Sequence, residues 1–126
     1  MSFWFFMLIM NLLVPFTMII FGRYFSKKAP KNINGLFGYR TSMSTKNKET
    51  WIFAHNYFGR IWFYRGSILL VISVVGMLFL IGKDKNIIGN YGLVLTVMQM
   101  LFLLSPIVPT EIALRKNFDE QGNRKF

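Results

Sequence analysis

Three apolar runs, each long enough to cross a lipid bilayer as an α-helix, constrain this chain more than any other feature. They cover residues 3–21, about 62–82 and about 91–109. The first would form a helix about 28 Å long, close to the thickness of the hydrocarbon core. The 126 residues include 14 Phe and are 53% hydrophobic, more than a soluble chain of this size can bury. The sequence therefore predicts an all-α fold, an integral membrane three-helix bundle in one domain (residues 1–126).

The positive charges are unevenly divided among the segments that flank these runs. Nine Lys and Arg lie within residues 23–65 and four lie after Pro109, whereas two lie between the second and third runs and none precedes the first. Lys and Arg are enriched in cytoplasmic loops. This division predicts an N-terminus outside the cell, a cytoplasmic loop over residues 22–61 and a cytoplasmic tail over residues 110–126. No basic region precedes the first run, so we do not expect a cleaved signal peptide.

The remaining composition excludes several function classes. The net charge of +10 comes from residues that flank apolar runs, without a nucleic-acid-binding motif, so anionic lipids of the inner leaflet are the expected partner and nucleic acid is not. The chain has no Cys, one His and five scattered acids. Glu49 and His55 are six residues apart and would lie on different faces of a helix. We expect no catalytic residues, no metal site, no cofactor and no enzymatic activity.

Two polar side chains lie inside the predicted spans. Asn11 falls on a stripe of the first helix with Pro15, Met18 and Gly22, and Gln99 lies in the third helix. One interpretation is a polar ligand site. The preferred one is close helix–helix packing with hydrogen bonds between helices, since no ionisable residue lies at the centre of a span.

The predicted loop contains a polar stretch followed by an aromatic helix. The stretch "NINGLFGYRTSMS" has turn signals, and Ser44 or Thr45 could cap the helix that follows. Trp51, Ala54 and Phe58 would share one face of that helix. It is too apolar for water, so we predict a cytoplasmic interfacial helix that lies on the inner leaflet and leads into span two, with His55 as an interfacial polar residue. The aromatic stripe could instead form a groove for a partner.

A pattern of motif residues runs through the predicted loop and into span two: Asn34, Gly38, Tyr39, Arg40, Thr41, Ser44, Asn47, Trp51, Ala54, Gly59 and Gly66. It resembles the core signature of the SdpI/YhfL family, small bacterial membrane proteins named for an immunity protein against a sporulation-delay toxin. The segment "PIVPTEIALRKNFDEQG", which contains Glu111, is similar to the family's closing segment. Where relatives often have Asn after the alanine, this chain has His55 and then Asn56.

The resemblance implies a three-helix protein of the bacterial plasma membrane, similar to the family's short members because it lacks their relatives' extra N-terminal segments. It also implies protection against a membrane-active peptide toxin, which is known for part of the family. The alternative is a membrane-anchored signalling module whose basic loop sequesters a cytosolic regulator. An oligomer is compatible with either function.

Arg40 is the motif residue with the most varied chemistry. Its guanidinium, next to the hydroxyl of Thr41, can hold a carboxylate or a phosphate in fork geometry. We expect a structural pair with Glu111, placed just past span three on the same side of the membrane. A lipid phosphate or an acidic cytoplasmic protein are the other two partners.

Overall fold

The computed structural model describes residues 2–31 and 38–125, and the regular structure in these ranges consists of α-helices. The helices are α1 (Ser2–Lys27), α2 (Lys48–Leu78), α3 (Lys85–Leu104) and α4 (Ile107–Asn117). Asn34 of the motif lies outside the described residues. The described ranges contain no regular strand, and one isolated bridge joins Phe118 to Arg124.

Three helical units are long and apolar enough to cross a membrane: α1, α2, and α3 together with α4. Their outer surfaces carry large apolar side chains that the protein leaves uncovered. Ile20 is 62% exposed, Val71 62% and Leu101 66%. An apolar surface of this extent is typical of a face that contacts lipid. The prediction of an all-α bundle with three long apolar helices is confirmed.

Helices α1 and α2 pack closely because glycines lie where the two backbones meet. A Cβ atom on Gly22 would lie 2.5 Å from the backbone nitrogen of Phe63, and one on Gly59 would lie 2.7 Å from the carbonyl oxygen of Gly22. Small residues of this kind allow helices to approach closely in a membrane. At the far end of the bundle, Trp4 of α1 donates from Nε1 to the carbonyl of Met77, 2.7 Å away.

Helix α2 corrects the prediction of an interfacial helix that lies on the inner leaflet and leads into span two. Residues 48–61 and the start of span two form one helix of 31 residues, about 46 Å long and therefore longer than the hydrocarbon core is thick. Its aromatic stripe does not face the lipid: Trp51 and Ala54 are fully buried and Phe58 is 6% exposed. Ala54 and Phe58 pack with Tyr39, Leu114 and Phe118 in one apolar cluster. His55, predicted at the membrane interface, is also fully buried.

The start of α2 and the end of α3 differ in detail from expectation. Asn47, rather than Ser44 or Thr45, caps α2, and its side chain accepts a hydrogen bond from the backbone N–H of Thr50. Helix α3 ends at Leu104, and α4 begins immediately after Pro106. The proline ring has no N–H and restricts the residue before it, which explains the break.

The predicted tail is partly built into the fold. Phe118, just after α4, is 1% exposed and packs against Phe53 of α2. Further along, Arg124 forms a salt bridge with Glu49 at 2.6 Å. The C-terminal segment is thus attached to the first turns of α2.

Candidate functional site

The four residues Gly38–Thr41, here named the GYRT turn, contact α2 through His55. Gly38 has a φ of 104°, a backbone conformation that favours glycine. A Cβ at Gly38 would lie 2.5 Å from Nε2 of His55, so only glycine allows this approach. The backbone N–H of Tyr39 donates to the same Nε2 atom at 2.8 Å.

Both ring nitrogens of His55 have a backbone partner. Nδ1 lies 2.8 Å from the carbonyl oxygen of Trp51, one helical turn earlier. Because Nε2 accepts from Tyr39, Nδ1 carries the proton and donates it to Trp51. This assigns the neutral tautomer from the hydrogen-bond network. A histidine with both nitrogens occupied by backbone groups is a structural connector and is not available for proton transfer.

The second anchor of the GYRT turn is Glu111 of α4. Its Oε2 accepts a hydrogen bond from the hydroxyl of Tyr39 at 2.6 Å and another from the hydroxyl of Thr41 at 2.8 Å. Burial, together with this hydrogen bond and the negative charge of Glu111, raises the pKa of the Tyr39 phenol well above its ordinary value. Tyr39 therefore stays protonated and continues to donate to the carboxylate.

Ser44 closes the turn on itself. Its Oγ accepts from the backbone N–H of Thr41 at 2.8 Å, and its own N–H donates to Oγ1 of Thr41 at 3.2 Å. The Ser44 hydroxyl also lies 3.1 Å from the carbonyl of Tyr39 and donates to it. These local bonds use the Ser44 side chain, which explains why it does not cap α2.

Asn47 connects the start of α2 to the C-terminal segment. Asn47 and Thr50 form a reciprocal capping box, in which each side chain accepts from the backbone N–H of the other. The Nδ2 of Asn47 donates to the carbonyl of Gly122 at 2.7 Å. The role of Thr50 in this cap was not predicted, although the Asn-x-x-Thr spacing before an apolar helix indicates it.

Together these contacts form one structure, here named the joint: the GYRT turn with Ser44, Asn47, Trp51, His55 and Glu111. Trp51 adds a bond from Nε1 to the carbonyl of Pro30, 2.9 Å away, which ties in the segment after α1. The joint therefore connects α1, α2, α4 and the C-terminal segment at one end of the bundle.

Arg40 differs from the other motif side chains because it is exposed, whereas Tyr39 before it is buried. Glu111 accepts hydrogen bonds from the hydroxyls of Tyr39 and Thr41, the two residues that flank Arg40. A pair between Arg40 and Glu111 stays a prediction. The bonds from the two hydroxyls to the Glu111 carboxylate were not predicted, because the expected partner of this acid was the guanidinium on the same side of the membrane.

Asn56 follows His55 and is half-buried. Its Oδ1 is buried without a hydrogen-bond partner within the described part of the chain. It lies outside the bonds of the joint. No set of three or more His, Asp or Glu among the described residues could hold a metal ion.

An apolar groove of about 560 Å³ begins at the GYRT turn and runs along the side of the bundle. Its floor consists of buried aromatic rings, and its walls come from α1, α2 and the junction of α3 with α4. Arg40 and Thr41 lie at one end and Thr17 lies at the other. The floor residues are Phe25, Tyr39 and Phe58, and the rim includes Phe21, Leu104 and Ile107.

The predicted intramembrane polar residues meet in the middle of the bundle. Nε2 of Gln99 donates to the backbone carbonyl of Asn11 at 2.6 Å and to the hydroxyl of Ser73 at 2.9 Å. Thr96 donates to Oδ1 of Asn11 at 3.3 Å. Gln99 and Asn11 are each 1% exposed. The arrangement joins α1, α2 and α3, as the packing interpretation expected.

Comparison with known proteins gives one family. The model of the SdpI/YfhL protein family matches residues 31–110, which is more than half of the chain and includes the GYRT turn, His55 and the whole of α2 and α3. The chain matches no curated protein and no solved structure at a significant level. On the strength of the family match, this multi-pass membrane protein belongs to the SdpI/YfhL family.

Proposed function

We propose that this protein protects the bacterium that carries it against a membrane-active peptide toxin. The observation that carries the proposal is membership of the SdpI/YfhL family, which is named for an immunity protein. The proposal assigns no catalytic step to the chain. The protein would act by packing against the toxin within the membrane, before the toxin can damage the bilayer.

Two structural features support this mode of action. The bundle is rigidly held, by the joint at one end and by the Asn11–Gln99 contacts in the middle. Its outer surface offers long apolar helix faces; on α3, Leu93 is 63% exposed and Val97 55%. A rigid apolar face can accept an apolar helix from a peptide without first reorganising, which lowers the entropic cost of binding.

Survival in the presence of toxin tests the proposal. The gene is deleted, and sensitivity to a set of membrane-active peptides from neighbouring bacteria is measured with and without re-expression of the protein. We expect greater sensitivity to at least one peptide on deletion, and restored survival on re-expression. Re-expression of Val97→Arg, which places a charge on the exposed face of α3, should fail to restore survival at equal protein level. Unchanged sensitivity to every peptide would argue against immunity.

We also propose that the protein lies in the plasma membrane with its N-terminus outside and its C-terminus in the cytoplasm. The uneven distribution of Lys and Arg supports this orientation. The chain has no cysteine, so single cysteines can report the side directly. In intact cells, an impermeant maleimide should label Asn86→Cys, in the first turn of α3. It should label Gln121→Cys, in the C-terminal segment, only after permeabilisation. The reverse labelling pattern would show that the protein has the opposite orientation.

The second candidate function is sequestration of a cytosolic regulator. It is favoured by three exposed basic side chains at and after the GYRT turn, those of Arg40, Lys46 and Lys48. A pull-down from cell extract compares the wild type with Arg40→Ala and, as a control, Arg60→Ala on α2. A regulator retained by wild type and Arg60→Ala but lost by Arg40→Ala would support this function. Retention by all three proteins would count against it.

A further inference from the structure

We propose that the groove beside the GYRT turn is a binding site for one anionic phospholipid, with an acyl chain along the aromatic floor and the headgroup phosphate on Arg40. This inference is independent of the proposed immunity function. It rests on the shape of the groove, on its apolar lining and on the position of Arg40, the one charged side chain among the described residues that line it.

The groove has the size of a ligand site. Its volume of about 560 Å³ falls within the range of known small-molecule sites. From Thr17 to Phe25 it follows α1 for eight residues, about 12 Å along the helix axis. It is therefore an elongated slot, suited to a length of hydrocarbon chain.

The uncharged polar side chains that line the groove already form hydrogen bonds within the protein. The Thr17 hydroxyl donates to the carbonyl of Leu13 at 2.7 Å, and Nε1 of Trp62 donates to the carbonyl of Leu103 at 3.0 Å. The hydroxyls of Tyr39 and Thr41 donate to Glu111. What these side chains offer the groove is apolar surface, so its body favours a hydrocarbon over a polar ligand.

Arg40 supplies the charge complementarity at the open end. A guanidinium has five N–H donors and can bind a phosphate while it keeps a contact with the protein. Glu111 is the acid of the joint, but it is not among the described residues that line the groove, and its Oε2 already accepts two hydroxyls. The occupant that matches a long apolar slot with one cation at its end is an anionic amphiphile, and the membrane supplies phospholipid at high concentration.

The buried floor distinguishes a bound lipid from the lipids that surround any membrane protein. Phe25 is 4% exposed and Phe58 is 6% exposed. A surrounding lipid reaches the exposed helix faces, whereas only a chain inserted into the groove reaches these two rings. Contact between an acyl chain and the floor is therefore the signature of the proposed site.

Photo-crosslinking measures that contact. The full chain is reconstituted in nanodiscs of phosphatidylcholine that contain a small fraction of phosphatidylglycerol with a photoreactive group in its acyl chain, and labelled residues are mapped by mass spectrometry. A phosphatidylcholine probe with the same photoreactive acyl chain, which carries no net charge, serves as the control. We expect labels on Phe25 or Phe58, about fivefold more from phosphatidylglycerol than from phosphatidylcholine.

Two variants and their matched controls complete the test. Arg40→Gln should abolish the preference for phosphatidylglycerol, and Leu104→Trp, which fills the groove from its rim, should remove floor labelling by both probes. Arg60→Gln and Leu93→Trp, at exposed positions away from the groove, should change neither result. Labels confined to exposed outer residues would overturn the proposal. So would equal floor labelling by the two probes in the wild type, or floor labelling that Leu104→Trp leaves unchanged.

Discussion

At the scale of single residues, His55 shows how one side chain can connect a turn to a helix. It accepts from the N–H of Tyr39 and donates to the carbonyl of Trp51, both at 2.8 Å. Its neighbours Phe25 and Trp51 pack their rings against it, with centroids 5.0 and 4.3 Å away. The sequence predicted that His55 lies at the membrane interface. This prediction was wrong because no local pattern indicates that the GYRT turn folds back and covers His55.

Replacing His55 tests the connection. His55→Leu keeps most of the buried volume but removes the acceptor for the Tyr39 N–H, so we expect the free energy of unfolding to fall by about 1–3 kcal/mol. His55→Gln retains an amide oxygen that can accept this bond and should lose less. Unfolding in mixed detergent, followed by helical circular dichroism, measures both. A His55→Leu variant as stable as the wild type would show that the bond contributes nothing.

Tyr39 gives the joint a dependence on alkaline pH. Folding raises the pKa of its phenol above the value in the unfolded chain, so the stability from this group is fully present below about pH 10 and is lost as the pH rises further. Tyr39→Phe removes both the hydrogen bond to Glu111 and this titration. We expect the variant to be less stable than the wild type near neutral pH, and the difference to narrow above pH about 10. A difference that is constant or grows with pH would contradict the assigned donor role.

At the scale of elements, the contact between α1 and α2 rests on close backbone approach. The sequence placed Gly22 on a packing stripe, and the structure buries the whole stripe of Asn11, Pro15, Met18 and Gly22. This much was predictable, since small and polar residues recur at helical spacing wherever membrane helices meet. The packing of the first turns of α2 was not predicted, because their aromatic residues indicated contact with the inner leaflet, whereas the structure buries Ala54 and Phe58 against Tyr39 and Leu114.

Two glycines of α2 form a matched pair for testing this contact. A Cβ at Gly59 would lie 2.7 Å from the Gly22 carbonyl oxygen, whereas the nearest atom to a Cβ at Gly76 is 3.9 Å away. Gly59→Ala should push the helices apart and lower the free energy of unfolding by about 1–3 kcal/mol. Gly76→Ala should be neutral or raise it by about 0.5–1 kcal/mol, since alanine favours the helix. Equal effects in detergent unfolding would mean that the close approach is unimportant.

At the scale of the whole molecule, the three long apolar helices were predictable because a helix needs about 20 apolar residues to cross the hydrocarbon core. The joint was only partly predictable. The turn signals at Gly38 and the acid at Glu111 are visible in the sequence, but the two residues are far apart along the chain. Which hydroxyls meet the carboxylate depends on how α4 packs beside the start of α2, and this follows from burial of Leu114 and Phe118 rather than from any local pattern.

The hydroxyls of Tyr39 and Thr41, which bind Glu111, should hold the joint together, whereas the exposed side chain of Arg40 should contribute little to its stability. Unfolding of Glu111→Gln and Arg40→Gln under the same detergent conditions tests it most directly. We expect Glu111→Gln to lose about 1–3 kcal/mol, because the hydroxyls of Tyr39 and Thr41 both lose their charged acceptor, and Arg40→Gln to lose less than about 1 kcal/mol, as expected for an exposed charge. If Arg40→Gln destabilised the protein as much as Glu111→Gln, and the double variant lost no more than either, the guanidinium pair would be the true anchor and the claim would be wrong.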